Sequence, residues 1–287
     1  MGRRKILDVH TRSVPLAADV DLDRLAATTP GMVGADLANV VNEAALMAAR
    51  RGHDAVTMAD LHDALEKLVL GTERRILLTP EERRRTAYHE AGHAIVGMLT
   101  PGADPVRKVS IIPRGIALGV TLSAPEADRF SYDRGYLLGK IKVALGGRVA
   151  EELFFDDITT GAQNDIKQAT ELARNMVGLW GMSDVIGPVT VITEEGQLPV
   201  PGASDISPET RHLVDEEVRH LIEDAHEQVT QLMSANRDKL DALAEALLER
   251  ETLEQDEAYA AAGIQAPPEP VAPSSPDETA DRFRRLG

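Results

Sequence analysis

The stretch Tyr88–Ile95 reads YHEAGHAI and sets two histidines four positions apart with a glutamate between them. In an α-helix, positions i and i+4 lie one turn apart on the same face, so His89 and His93 can direct ring nitrogens at a single point about 2.0 Å from each. Glu90 neighbours that point without needing to ligate. This is the H-E-x-x-H arrangement, in which the histidines hold zinc and the glutamate takes a proton from the attacking water, then returns it to the leaving amine. The metal lowers the pKa of water toward neutrality and polarises the scissile carbonyl, so the chemistry is peptide-bond hydrolysis. The plainer alternative is a pair of histidines lining the polar face of an ordinary helix.

A catalytic zinc takes three protein ligands and leaves a fourth position open. No further glycine and histidine follow His93 at the offsets that would complete a local set, so a distant carboxylate must supply the third. Asp165 qualifies, because Asp165, Ala169, Leu172 and Met176 fall at i, i+4, i+7 and i+11. The acid therefore lies on a stripe that otherwise faces the core, where it needs a partner. By spacing alone it could equally sit in the first turn of its helix, stabilised by backbone amides and the macrodipole. Glu151 and Glu152 in RVAEELFF are rival candidates, and both could instead pair with Arg148 or a neighbour.

The elements that must hold these groups are mostly helical. Thr79-Pro80-Glu81-Glu82 gives a hydroxyl cap, proline at the first helical position and a glutamate at the third, and the next stop is Pro101-Gly102. A helix of about twenty residues thus carries YHEAGHAI near its middle. Upstream, Leu37, Val40, Val41, Ala44, Ala45 and Ala48 keep a helical period ending at Gly52. Thr57 and Asp60 then form a capping box for a helix that ends at Gly71. Val106–Ile112 and Leu118–Leu122 read as short strands able to pair. Helical patterns resume over Ser131–Leu145, Arg148–Phe155 and Ala162–Val177, and residues 183–206 read as a loop. From Pro208, Val214, Val218, Leu221, Ala225, Val229 and Leu232 mark a long amphipathic helix, and Leu240, Leu243 and Leu247 a shorter one. From about Gln265 the chain is Pro-, Ser- and acid-rich, a composition of disordered tails.

Composition agrees with a helical protein of two domains. The 287 residues are 43% hydrophobic but only 3% aromatic, so the core must be aliphatic and alanine-rich. A net charge of −16 argues against a nucleic-acid partner and against an anionic membrane surface. Without cysteine, disulfides, thiol catalysis and Cys-ligated metal are excluded, which leaves His and carboxylates as ligands. No apolar run of about 18 residues and no signal-peptide core occur, so the chain reads as soluble and cytosolic in exposure.

HEAGH, followed in order by KVSIIPRG, ALGVT, GGRVAEELFF and TTGAQNDIKQATELARNMV, resembles the peptidase domain of the FtsH family of membrane-anchored AAA proteases, from about Thr79 to Leu253. Upstream, GRRKILDVH and VPLAADVDLDRLAATTPGMVGADLANVVNEAALMAAR resemble the helical lid that closes the AAA ATPase module in the same family. The resemblance implies a mainly α (α+β) chain: a lid subdomain at 1–72, a zinc metallopeptidase domain with a small β-sheet at 73–263 and a disordered tail at 264–287. It also implies His89, His93 and Asp165 as zinc ligands and Glu90 as general base and acid, which settles the choice over Asp165.

By the same resemblance, unfolded or damaged polypeptides would lie beside an edge strand at Leu118, Gly119, Val120 and Thr121, inside a homo-hexameric ring on the cytoplasmic side of a membrane. An extended peptide adding to a sheet edge binds through backbone hydrogen bonds and tolerates many sequences. The strand could instead be purely structural. No G-x-x-x-x-G-K-[ST] occurs, so ATP hydrolysis and the membrane anchor would belong to a longer parent of which this is a fragment. Ile116 in PRGIALG and Met32-Val33 in TPGMVGAD depart from the family pattern outside the metal set. A competing reading is a non-catalytic oligomerisation scaffold with a vestigial metal site, its long helix from Pro208 to Met233 packing between subunits.

Overall fold

The computed structural model describes residues 2–74, 76–115, 117–125, 129, 131–192 and 206–267, arranged as two units. Four helices build the first unit: α1 (Gly2–His10), α2 (Leu22–Ala27), α3 (Gly34–Arg51) and α4 (Met58–Leu70). Leu7, Leu25, Leu37, Val40, Ala44 and Leu61 form its aliphatic core. The expected capping box of α4 is present, since Thr57 Oγ1 accepts from the Asp60 N–H at 3.2 Å and Asp60 Oδ2 accepts from the Thr57 N–H at 3.0 Å. Asp60 is fully buried and is also held by Arg51 at 2.8 Å and His53 at 2.9 Å, so its charge is compensated.

Helix α3 starts differently. Its N-cap is Val33, which has no oxygen to accept from the first turn. Only the reciprocal half of a capping box remains, Asp36 accepting from the Val33 N–H at 2.9 Å.

The second unit is centred on α5 (Pro80–Leu99), capped as its sequence demands: Glu82 accepts from the Thr79 N–H at 2.8 Å and Thr79 Oγ1 from the Glu82 N–H at 3.2 Å. Around it lie β1 (Val106–Ser110), β2 (Val120–Ser123), α6 (Arg134–Phe155), α7 (Gln163–Arg174), α8 (Pro208–Ala235), α9 (Arg237–Arg250), β3 (Thr252–Glu254) and α10 (Gln255–Ala261). The strands form one antiparallel sheet in the order β2-β1-β3, with Val109 opposite Thr121 on one side and Leu253 on the other. Ala87, Ala91, Ala94 and Ile95 of α5 share a core with Val106, Val149, Ala150, Leu240, Leu243 and Leu247. Nearly every side of α5 is therefore covered.

Several expectations are corrected. The two helices expected on either side of Gly146-Gly147 are one, α6, because those glycines sit where α6 crosses α5. A Cβ on Gly146 would lie 2.7 Å from the Gly92 carbonyl oxygen, and one on Gly92 would lie 2.4 Å from that of Gly146. Two helical glycines cost about 1 kcal/mol each in propensity, and close backbone packing offsets that.

Strand β2 begins at Val120, not Leu118, and β3 and α10 were not anticipated. The end of α7 passes into a π-helical turn, Asn175–Leu179. Ile264 and Ala266, read from sequence as part of a disordered tail, pack against the core. Ile116, most of the expected loop (193–205) and residues 268–287 lie outside the described residues.

The stripe of α8 is used within the unit. Val214, Val218 and Ala225 pack with Leu137, Ile141, Leu145 and Met176, while Val229 and Met233 join the core under α5. That burial removes the feature that motivated an intersubunit scaffold. Among the described residues no helix is long and apolar enough to cross a membrane.

Replacing the exposed Val33 by serine restores the missing oxygen at the start of α3. Val33→Ser is expected to stabilise the first unit by about 1 kcal/mol. A denaturant midpoint that stays put or falls would show that the cap is not limiting.

Candidate metal centre

Helix α5 puts His89 and His93 on one face, and the α5/α6 glycine contact brings that face against the backbone of α6. His93 Nδ1 lies 2.7 Å from the carbonyl oxygen of Val143, which can only accept, so Nδ1 carries the proton and Nε2 presents its lone pair. His89 Nδ1 lies 2.8 Å from Glu151 Oε1, which fixes the same tautomer. Both Nε2 atoms converge, 3.1 Å apart.

Asp165 arrives from the first turn of α7, with Oδ2 3.4 Å from His89 Nε2 and 3.5 Å from His93 Nε2. The three separations form a near-equilateral triangle. Ligands about 2.05 Å from a tetrahedral zinc lie roughly 3.3 Å from one another, so the triangle has the size that zinc requires. No other group of three or more His, Cys, Asp or Glu side chains converges like this among the described residues. The space is kept open by Gly147 of α6, where a Cβ would stand 2.5 Å from His89 Nε2 and 2.6 Å from His93 Nε2. The residues present therefore fit the metal.

The rival acids have other partners. Glu151 is buried behind His89, where its Oε2 accepts from the Thr159 N–H at 2.9 Å and faces Arg85 at 3.7 Å. Glu152 pairs with Arg148 and His226, each at 2.8 Å. Sequence reasoning named Glu151 but not its task of orienting an imidazole, because its second hydrogen bond comes from a main-chain N–H that leaves no mark on residue type. Gly147 was equally hidden, although a glycine doublet inside a helical pattern is the signal that a close contact occurs there.

Burial by itself disfavours a charged imidazole at His89, but hydrogen bonds to Asp165 and Glu151, with the charge of Glu90, outweigh it and push its pKa up to about 10 without metal. Burial also disfavours the Asp165 carboxylate, yet its bonds to the two histidines pull it well below the ordinary value. Glu90 is pushed up, chiefly by burial. Its Oε2 accepts from Thr121 Oγ1 at 2.8 Å. Of the expected substrate strand, Val120 and Thr121 lie on β2, Gly119 precedes it against the Glu90 carboxylate, and Leu118 is exposed outside the strand.

Two imidazoles on one helix and a carboxylate from another make up the donor set of the zinc metallopeptidase class, and a glutamate stands beside them. The chain belongs to peptidase family M41, whose pattern its residues 76–260 match, and residues 19–63 match the AAA+ lid domain. It is 62% identical over 277 residues to an ATP-dependent zinc metalloprotease FtsH 3 of Conexibacter woesei, covering 96% of this chain and 37% of that one. It is 53% identical to an FtsH 4 of Sphaerobacter thermophilus over 94% of this chain and 42% of the relative. For an FtsH of Thermotoga maritima the figures are 47%, 90% and 43%. The chain thus spans about two fifths of the length of these curated relatives.

Two results are expected. In the metal-free chain, the raised His89 pKa contributes stability in full below 6.5 and loses it as pH rises through about 10, while the lowered Asp165 pKa contributes above 3.8 and loses it on acidification. Asp165→Asn should therefore lower the thermal midpoint in chelator most between those two ordinary values and least above about pH 10; a pH-independent loss would contradict the pairing. Gly147→Ala, whose methyl fills the cradle, should weaken zinc binding by at least about tenfold in a competition titration, and unchanged affinity would show that the metal does not sit there.

Proposed function

We propose that this chain is the proteolytic part of an ATP-dependent, membrane-anchored zinc protease that hydrolyses peptide bonds of unfolded polypeptides. His89, His93 and Asp165 hold zinc, and Glu90 moves the proton. The observation that carries this reading is the triangle of donor atoms with Glu90 on the same helix, one residue from the first ligand.

Zinc held there supplies Lewis acidity, activating water and polarising the scissile carbonyl. Burial brings Glu90 closer to the working pH, so it can accept a proton from water and release it to the departing amine. Glu151 and the Val143 carbonyl hold the imidazoles in the tautomers that point Nε2 inward. Among the described residues strand β2 is the last strand on its side of the sheet, an edge to which an extended peptide adds through main-chain hydrogen bonds.

In this reading residues 1–72 are the lid of an ATPase module and the peptidase domain runs from residue 73 through Ala266, which packs against its core. Matches to the lid and the "ATP-dependent" relatives support a parent protein in which an ATPase ring feeds substrate. A homo-hexameric assembly on the cytoplasmic side of a membrane follows from the family resemblance.

The test is metal content beside cleavage of an unfolded polypeptide. Glu90→Gln should keep about one zinc per chain yet lose roughly a hundredfold or more of the cleavage rate. Asp165→Ala should lose zinc and cleavage together. Undiminished cleavage in Glu90→Gln, or full zinc in Asp165→Ala, would refute the role assigned to each.

A further inference from the structure

Residues 119–121 would need only their main chain to accept a peptide at a sheet edge, yet the side-chain positions of 119 and 121 are committed elsewhere. Thr121 Oγ1 lies 2.8 Å from Glu90 Oε2 and 3.0 Å from the Glu90 main-chain oxygen. Both are acceptors, so the hydroxyl is a donor to Glu90 and to no incoming peptide. Two residues earlier, a Cβ on Gly119 would stand 2.7 Å from both Glu90 Cγ and Oε1, and 2.9 Å from the Ser110 main-chain oxygen. No side chain fits there without moving the carboxylate or the sheet.

Glu90 is therefore held at Oε2 by a hydroxyl, and the missing side chain at Gly119 leaves the space that its Cγ and Oε1 occupy. The position is fixed from behind as well: Thr121 stands opposite Val109 of the central strand, and Ser110 next to it supplies the wall behind Gly119.

We propose that Thr121 and Gly119 are positioning residues for Glu90, so that the strand offering its edge to the peptide also sets the aim of the carboxylate. A buried glutamate with three side-chain torsions has several rotamers open to it, and a reacting group misplaced by about 1 Å can lose roughly a hundredfold in rate. The main-chain edge binds the peptide, while side-chain positions 119 and 121 act through Glu90. The inference rests on Glu90 as the group that moves the proton.

The test uses the full zinc-loaded chain and an internally quenched, unstructured ten-residue peptide. Thr121→Val should lower kcat by about ten- to a hundredfold with KM within about twofold and zinc content unchanged. Thr121→Ser, which keeps the hydroxyl, should recover most of kcat, and Gly119→Ala should lower kcat as valine does. A change confined to KM, or a serine variant as poor as valine, would overturn the proposal and return Thr121 to substrate contact or packing.

Crystal structures of the unaltered chain and of Thr121→Val decide the point without turnover. The Glu90 carboxylate should turn away in the variant, and an unmoved carboxylate overturns the proposal. If the unaltered chain binds zinc but cleaves no peptide, the assigned role of Glu90 fails, and the two structures still report whether Thr121 holds it.

Discussion

The close contact of α5 with α6 is the constraint on which the peptidase unit depends. Gly92 and Gly146 let two backbones meet where any side chain would collide, and the next glycine leaves the point between His89 and His93 free. Without that approach, the Val143 carbonyl could not fix one imidazole nor Glu151 the other. The aliphatic core on the remaining sides of α5, from Val106 and Val149 to Leu243 and Leu247, holds the contact in place. Small residues here are thus functional through distance alone: they set how far one helix axis stands from the other.

The electrostatics follow from that geometry. Burying one carboxylate or one imidazolium is costly, and a chain of alternating partners makes it tolerable. Arg85, Glu151, His89 and Asp165 form such a chain, with the Thr159 main-chain N–H completing the coordination of Glu151. A positive charge is favoured at the centre, because the Glu151 and Asp165 carboxylates face His89 and Asp165 also faces His93. A site built to stabilise a proton between a histidine and a carboxylate is also disposed toward a dication, and the tautomers fixed from behind present lone pairs where the cation would stand. Glu90 stands apart from this chain, buried and tied to β2, which suits the proton-moving role proposed for it.

Much of the site was legible because its signals are local. The i, i+4 histidines and the intervening glutamate need only a helix, and Thr79-Pro80 with Glu82 guarantees one. The box of Thr57 with Asp60 and the stripe of α8 were equally readable, since capping and amphipathicity are written within a turn or two. The break expected at Gly146-Gly147 shows the limit: local propensity argues against a helix there, and only the presence of α5 explains why one continues. Strand β3 and α10 were missed for a related reason, as three residues pairing with a strand about 140 positions away carry no periodicity of their own.

The sequence by itself determined the candidate ligand types, the helix that carries two of the candidates, the absence of any thiol alternative, and a core of aliphatic residues around helices. Residue spacing left the third acid open; the family resemblance pointed to Asp165, and the tertiary structure is what brings that carboxylate to the two imidazoles. Asp165, Glu151 and Glu152 are the same carboxylate chemistry, and they are told apart by what faces them: two Nε2 atoms, one Nδ1 with a main-chain N–H, and a surface arginine with a histidine. Those distances arise from how helices far apart in the chain pack, and packing is a property of all the contacting surfaces together, which no short stretch of sequence contains.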